Sequence, residues 1–399
     1  MPTTPAPVRT QVAIVGAGPA ALMLSHLLAR AGIDSVAIDL RSREEVERTH
    51  RAGILEQGSV DLLVDTGVSD RVHRDGYRHD GIELAFGGGG HRIDFQDLVG
   101  ASAQLYPQTD VFIDLADARE RDGGDVRFGV TDVSVDGLLD QPVVRFTDSD
   151  GRSQEVHAAY VVGADGSRSL CRRQVPEAER QQYFREYPFA WFGILTEAPP
   201  SAPELIYSHS PHGFALISQR TETLQRMYFQ CDPSEDATTW SDDRIWDRLQ
   251  SCVGANGYAL KEGPITSRTV LPFRSFVQEP MHHGRLVLAG DAAHTVPPTG
   301  AKGLNLALAD VRVLAEELER AIAVDDPALL ASYSRRALAR VWKAQHFSYW
   351  MTTMLHTLPD ATPFDVRRQE GELAAVTGSV AGSTYLAEAY TGWPEGRGR

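Results

Sequence analysis

Apolar residues at the start of the chain fall into short unbroken runs separated by glycine. Gln11-Val12-Ala13-Ile14-Val15 leads into Gly16-Ala17-Gly18-Pro19-Ala20-Ala21 and then Leu22-Met23-Leu24-Ser25-His26-Leu27-Leu28. The first run predicts a strand buried on both faces, the glycines a tight turn, and the last segment a helix. A second run, Ser35-Val36-Ala37-Ile38, ends at Asp39. Strand-like and helical stretches keep alternating to about Arg180, with a helix expected over Ser59-Val60-Asp61-Leu62-Leu63-Val64 and a strand around Val143-Val144-Arg145-Phe146. Between about Tyr183 and Arg274 the pattern changes to short alternating runs rich in aromatics, among them Ala190-Trp191-Phe192-Gly193-Ile194-Leu195, Phe214-Ala215-Leu216-Ile217-Ser218 and Arg226-Met227-Tyr228-Phe229-Gln230. Period-two alternation predicts a mostly antiparallel sheet. The strand-like Arg285-Leu286-Val287-Leu288-Ala289 follows, then helical patterns from Leu304 to Ile322 and from Pro327 to about Leu355, then a polar, Gly-rich tail. The expected class is α/β, with residues 1–180 and 275–399 forming one unit with C-terminal helices and residues 181–274 an inserted, mostly antiparallel β-sheet.

Three segments carry candidate chemistry. In a strand–turn–helix, Gly16 makes the turn, Gly18 lets the backbone approach a pyrophosphate, and Ala21 takes the third position of a Rossmann-like fingerprint. Asp39 stands about 20 residues on, where an acid meets an adenosine ribose. Tyr160-Val161-Val162-Gly163-Ala164-Asp165-Gly166-Ser167 is a short strand reaching an Asp-Gly turn, with Arg168 and Arg172 placed to hold a phosphate-bearing coenzyme. The segment from Gly290 to Asn305 combines Asp291, the turn-forming Pro297-Pro298 pair and a Gly-punctuated helix start. Its carboxylate suits flavin hydroxyls and its helix amides suit a negatively charged flavin ring. Each segment alone reads as ordinary structure.

In this order and at these distances the three resemble the flavoprotein monooxygenases, which carry a fingerprint, an Asp-Gly motif and a Gly-Asp motif on one FAD. The fold implied is a Rossmann-like FAD-binding domain with the inserted sheet as substrate domain.

The remaining composition narrows the partners. A chain of 399 residues exceeds the size at which one core stops growing, so two intimately joined domains are expected. With 39 basic against 54 acidic residues, a net charge of −15 disfavours nucleic acid and anionic membranes as partners and favours small molecules. Cys171, Cys231 and Cys252 have no metal spacing and cannot all pair, which fits a reducing compartment. His282-His283 lacks spaced partners, so no metal is expected. No apolar stretch has the length of a membrane span and no signal pattern opens the chain; the expected location is the cytoplasm.

Substrate chemistry is sought on the inserted sheet. Ser218 and Arg220 are two apart and share a strand face, and after the turn Thr221-Glu222-Thr223 a partner strand can return Tyr228 to that face. A guanidinium with two hydroxyls makes a carboxylate clamp. From these residues alone a solvated strand face is the better reading.

The resemblance reverses that preference. Arg51-Ala52-Gly53-Ile54-Leu55-Glu56-Gln57-Gly58, Glu204-Leu205-Ile206-Tyr207, Gly213-Phe214-Ala215-Leu216-Ile217-Ser218-Gln219-Arg220, Arg274-Ser275-Phe276 and Pro297-Pro298-Thr299-Gly300-Ala301-Lys302-Gly303-Leu304-Asn305 resemble the 4-hydroxybenzoate 3-monooxygenase family of FAD-dependent aromatic hydroxylases. The resemblance implies that Ser218, Arg220 and Tyr228 hold the substrate carboxylate. It implies that Tyr207 and Tyr390 activate the phenol, that His79 passes the proton to solvent, and that the Pro298 carbonyl, beside Thr299, accepts from the substrate hydroxyl. The flavin would be surrounded by Arg51, Gln57, Gln108, Arg226, Asp291, Lys302, Gly303, Leu304 and Asn305, besides the fingerprint residues and Asp165. NADH or NADPH, held by Arg41, Arg168, Arg172 and Arg274, would reduce FAD. One atom of O2 would reach the ring carbon beside the hydroxyl through a C4a-hydroperoxyflavin, and a homodimer is implied. Without the resemblance His79 reads as a surface histidine and Tyr390 as a residue of the tail.

The chain departs from the familiar NADPH-using pattern at Leu40-Arg41-Ser42-Arg43-Glu44-Glu45-Val46, where Leu40 replaces a basic residue and Glu45 an aromatic one. A carboxylate repels a 2′-phosphate, so NADH is expected to be accepted, although Arg41, Arg43 and Arg168 can compensate. Thr49 replaces an arginine near the pyrophosphate, and Met227 a tyrosine beside the clamp. The alternatives are hydroxylation of a related para-substituted benzoate (4-aminobenzoate or 3,4-dihydroxybenzoate), a flavoprotein reductase or oxidase without oxygen transfer, and a non-catalytic flavin-binding protein.

Overall fold

A computed structural model describes residues 7–48 and 53–393. The strand Val8–Val15 lies inside an eight-stranded sheet, paired in parallel with Ser153–Gly163 and with Ser35–Asp39. Leu286–Leu288 and Asp125–Phe128 continue it in parallel. Val12, Ile14 and Val15 are buried, as expected of a strand covered on both faces. Helix Pro19–Arg30 packs against Gln108–Arg121 and Gly303–Val324.

The second eight-stranded sheet runs, edge to edge, His294–Thr295, Ile265–Glu279, Gln181–Thr196, Gln225–Cys231, Gly213–Gln219, Ile206–Ser210, Gly81–Phe86 and Gly89–Asp94. All neighbours are antiparallel except Ile206–Ser210 with Gly81–Phe86. The sheet therefore takes in a hairpin far ahead of residue 181 and extends past residue 274, wider than the expected insert. The hairpin turns on Gly87 and Gly88, at φ +62° and +88°, the left-handed pair that a two-residue turn requires. A third, three-stranded sheet joins Ile54–Glu56, Ala103–Leu105 and Tyr77–His79.

The segment beyond Leu355 differs from the expected tail. Helices Pro363–Thr377 and Val380–Thr391 follow the long helix Leu330–Leu355. The first begins with Pro363 after a Thr362–Asp365 capping box, which supplies the N-terminal hydrogen bonds a short helix lacks. Leu373, Val376, Leu386 and Tyr390 then enter a core shared with Trp191, Tyr207, Phe214 and Tyr228 of the second sheet. Burying side chains of this size contributes about 1.5–3 kcal/mol each, enough to hold a polar-looking segment in place.

One stretch stitches the two large sheets together. Leu286–Leu288 belongs to the first, His294–Thr295 pairs with Phe276 and Val277 of the second, and helix Gly303–Val324 returns to the first.

Candidate active site

The three glycine-bearing motifs meet. Gly16 has φ +110°, and a Cβ there would lie 2.2 Å from the Ala164 carbonyl oxygen, so only glycine brings the fingerprint turn against the Asp165 turn. A Cβ on Gly290 would contact Ala20 and Ala307, placing the third motif beside the same helix start. By contrast, Gly18 and Gly303 face open space. Helices Pro19–Arg30 and Gly303–Val324 begin with no side-chain cap, which leaves first-turn amides for a ligand. Asp165 accepts from Leu170 N and Cys171 N through Oδ2, while its buried Oδ1 has no partner. Two uncapped helix starts, two open glycines and an unsatisfied carboxylate oxygen fit a dinucleotide with a pyrophosphate and sugar hydroxyls.

Several expected contacts take a different form. Asp39 accepts from Ala17 N, Arg41 N and the Arg41 guanidinium, which fills both oxygens. Arg41 is thus paired with Asp39, whose oxygens are filled, while the part-exposed guanidinium spends only two of its five N–H donors on the pair. Arg172 donates to the backbone carbonyls of Ser167 and Ala292 and lies over the Phe276 ring, so it ties two motifs together rather than awaiting a coenzyme. Arg168 and Arg274 are exposed, with no ion-pair partner among the described residues, and remain open to an anion.

Lys302 and Asn305 also turn away from the space in front of the helix. The Lys302 ammonium donates to Glu56 Oε1 at 2.7 Å and to the Tyr390 carbonyl at 3.0 Å, and Arg340 holds the other Glu56 oxygen. Burial lowers the Lys302 pKa, and Glu56 opposes that shift. Asn305 accepts from Glu56 N and donates to Ile54 O. Both side chains anchor the helix start, and a flavin would meet backbone at Gly303 and Leu304. Gln57 donates to Asp61 within its own helix, and Gln108 opens helix Gln108–Arg121 half-buried. Ala21 is buried in the first helix, and Asp291 sits half-buried in the turn Gly290–Ala292. Arg51 and Thr49 lie outside the described residues.

The clamp residues do converge. Cross-strand pairing sets Ser218 opposite Arg226 and Leu216 opposite Tyr228, so all four side chains share one face. Gly193 opposes Tyr228 on the other side, where a Cβ would come within 2.8 Å of the tyrosine ring. The Tyr228 hydroxyl accepts from Arg226 Nε at 3.2 Å, which leaves its proton to donate. Arg220 is buried, its Nη1 has no hydrogen-bond partner, and burial pulls its pKa below the usual arginine value. Neither Arg220 nor Arg226 has a carboxylate at ion-pair distance among the described residues. Two buried guanidinium groups without a counter-ion make an anion site.

Facing this clamp, the Tyr207 and Tyr390 hydroxyls are 2.8 Å apart, and Tyr207 also donates to Thr299 O at 3.4 Å. Burial pushes both phenols above their ordinary pKa, so both are neutral and can pass a proton without holding a charge. The Pro298 carbonyl accepts from Ala301 N at 2.9 Å and keeps a second lone pair. Ala301 takes φ +53°, a left-handed conformation costly for a residue with a Cβ, which sharpens the turn into Lys302. His79 is buried, against the surface expectation, because the three-stranded sheet closes over it. It makes no direct hydrogen bond to Tyr390; Nε2 meets Gln219 and Nδ1 is unpartnered.

Residues missed in the sequence lie on helix Leu330–Leu355 and just past its end. Gln345 donates to Thr295 O, Thr352 Oγ1 to Thr299 Oγ1 at 2.9 Å, and His356 Nε2 accepts from Trp191 Nε1 at 2.7 Å. Since Nε2 accepts, Nδ1 carries the proton and donates to Thr352 O. With Ser348, whose buried hydroxyl lies against Gly300, these polar positions at spacings of three and four form one helix face. A polar stripe inside an apolar helix was the available signal. Glu56, a carboxylate ending an apolar strand, was another.

Comparisons with known proteins bear on the family and the fold. A family model described as FAD binding domain matches residues 9–348. The p-hydroxybenzoate hydroxylase of Acinetobacter baylyi is 42% identical over 388 residues, covering 97% of this chain and 96% of that protein. Among solved structures, p-nitrophenol 4-monooxygenase from Pseudomonas putida superposes with a TM-score of 0.78 at 19% identity, covering 97% of this chain and 100% of that one. Aklavinone-11 hydroxylase with FAD and aklavinone gives 0.72 at 22% identity, over 92% of this chain and 73% of that one. At these identities the two structures speak for the fold.

Proposed function

This chain belongs to the FAD-binding-domain family of flavoprotein aromatic hydroxylases, and on that premise we propose that it hydroxylates 4-hydroxybenzoate at C3, giving 3,4-dihydroxybenzoate, with NADH or NADPH as reductant and O2 as oxidant. The observation that carries the substrate is the buried Arg220, with an unsatisfied Nη1 beside Tyr228. A benzoate carboxylate supplies the missing charge, accepting from Arg220, Ser218 and the free proton of Tyr228. Its ring then lies among Trp191, Phe214 and Tyr228, whose mutual contacts make an apolar wall.

Bound FAD supplies the oxygen chemistry, and the polypeptide positions the reactants and excludes water. A neutral phenol is a poor nucleophile, and its proton must leave for the ring to react. Tyr207 takes up the phenol proton's hydrogen bond and shares it with Tyr390, while the carbonyls of Pro298 and Thr299 orient the hydroxyl. His79, an imidazole whose ordinary pKa lies near neutrality and is lowered here by burial, is the terminal acceptor. Two tyrosines and two carbonyls distinguish a phenol from an aniline less sharply than the clamp reads the carboxylate, so para-substituted benzoates share the site with lower turnover.

NADH is the preferred reductant in this reading. Arg43 is held by Glu47, Asp117 and Glu120, and the charge of Arg41 is matched by Asp39, so this stretch offers a 2′-phosphate little net positive charge. Arg168 and Arg274 suffice for the pyrophosphate common to both coenzymes. Among the described residues no helix is long and apolar enough to cross a membrane, and the need for reduced nicotinamide assigns the protein to the cytoplasm. Exposed Tyr183, Phe184, Trp342 and Tyr349 offer an aromatic face for a homodimer.

Turnover under labelled O2 tests the reaction. One labelled atom should enter the ring beside the hydroxyl, and an Arg220→Ala variant should keep its flavin while losing affinity for the acid by about 2–3 kcal/mol, roughly 30- to 150-fold. Unlabelled product would exclude oxygen transfer; unchanged affinity in the variant would remove the clamp.

A further inference from the structure

His79 is 1% exposed, and its surroundings leave it two polar options. Its strand, Tyr77–His79, pairs with Ala103–Leu105 through backbone alone. Nε2 lies 3.3 Å from the Gln219 amide nitrogen, so an oxygen facing His79 requires the amide turned over, and Nδ1 is buried with no partner. Gln219 is the last residue of strand Gly213–Gln219, between Ser218 and Arg220. Alternation along the strand sends its side chain to the face opposite the clamp. Three consecutive residues thus serve a carboxylate site on one side and an imidazole on the other.

A neutral imidazole has one N–H and one lone pair, and the partner of one nitrogen decides which is which. An amide can present oxygen or NH2 in nearly the same place. With NH2 toward His79, the Nε2 lone pair is used and Nδ1 carries a proton it can only donate. With oxygen toward His79, Nε2–H donates to the amide and the Nδ1 lone pair is free.

Resting on the hydroxylation reading above, we propose that Gln219 is a positioning residue for His79: its amide oxygen accepts from Nε2–H, so that Nδ1 takes the proton released by the substrate phenol. The phenol O–H breaks, one proton moves along the Tyr207–Tyr390 pair and, since Tyr390 and His79 share no direct hydrogen bond, through bridging water, and an Nδ1–H bond forms. The products are a bound phenolate and an imidazolium, which then returns the proton to water. The charged groups near the ring are Asp80 and Glu204, both of which favour the imidazolium while burial opposes it. Arg78 and Arg92 pair with those carboxylates and moderate their effect.

The test follows phenol ionisation in the FAD-loaded protein with 4-hydroxybenzoate bound, by ultraviolet absorbance after a pH jump, in wild type, Gln219→Leu, Gln219→Glu and His79→Asn. Loss of an orienting partner typically costs about 10- to 100-fold, so Gln219→Leu and His79→Asn should both slow proton release by at least about tenfold. Gln219→Glu, whose carboxylate also holds Nε2–H, should stay near the wild-type rate. Affinity for the acid should be unchanged in Gln219→Leu, because the clamp lies on the other face. A fast Gln219→Leu beside a slow His79→Asn overturns the proposal while leaving the relay intact. If His79→Asn is also fast, the relay falls and the proposal with it.

Discussion

Single residues carry opposite burdens at this site. Arg220 is a buried cation waiting for an anion, whereas His356 is a buried imidazole that must stay neutral, its pKa held down to about 3 by burial. An unfolded chain would protonate that imidazole below its ordinary value of 6.5. Unfolding therefore takes up a proton, and the folded state loses stability as pH falls from 6.5 toward about 3, by at most about 1.4 kcal/mol per pH unit. His294, paired with Asp310 at 2.6 Å, has a raised pKa and the opposite sign. Its contribution is full below 6.5 and fades as pH rises through its folded value. Unfolding midpoints measured at pH 6.5, 5.5 and 4.5 should fall less steeply in His356→Phe than in wild type. Identical slopes would mean that His356 does not titrate in this window. Neither histidine is recognisable from its sequence neighbours, because burial in the tertiary core holds down the His356 pKa and Asp310, 16 residues along the chain, raises that of His294.

At the scale of elements, the long helix Leu330–Leu355 and the short helix Arg43–Glu47 act at a distance from the chemistry. The first holds Thr299 of the Pro298–Gly300 turn through Thr352, and Thr295 on the strand before it through Gln345. Thr352→Val keeps the shape and removes one donor, a loss of about 0.5–1.5 kcal/mol in stability. Because the Thr299 side chain then loses its anchor and the residue whose carbonyl meets Tyr207 is held less firmly, turnover should fall about tenfold with little change in affinity for the acid, a split that kcat and binding measurements resolve. Equal turnover would reduce the stripe to packing. The short helix bears on the reductant: with Arg43 held by three carboxylates, kcat/KM should favour NADH, and a preference for NADPH above about tenfold would refute that assignment. Legibility followed locality here. The strand–turn–helix of Gly16 and the hydrophobic alternation of Gly213–Gln219 are local patterns, and both elements form where the pattern sets them. The burial of Tyr390 depends on two C-terminal helices whose apolar faces are thin, and that of His79 on a three-stranded sheet built from distant segments. Neither could be read without the tertiary contacts. The fate of Arg41 was also hidden, since a sequence position two after an acid does not say whether the pair closes on itself.

Across the whole molecule, the segment from Leu286 to Asn305 determines how the parts work together. It leaves the parallel sheet, pairs with the edge of the antiparallel one, turns at Pro298 beside Tyr207 and enters the helix whose open start faces the cofactor space. On the proposed assignment substrate and flavin would lie on two sides of one continuous strip, and occupation of the carboxylate clamp would be felt where the flavin is reduced. Such coupling would protect the reductant, since NADH would be spent only when an acceptor ring is in place. The central claim is then tested by mixing the FAD-loaded protein anaerobically with NADH, with and without 4-hydroxybenzoate, and following the loss of flavin absorbance. The coupling predicts reduction at least about tenfold faster with the acid, a barrier lowered by about 1.4 kcal/mol or more. Equal rates with and without it would contradict the account.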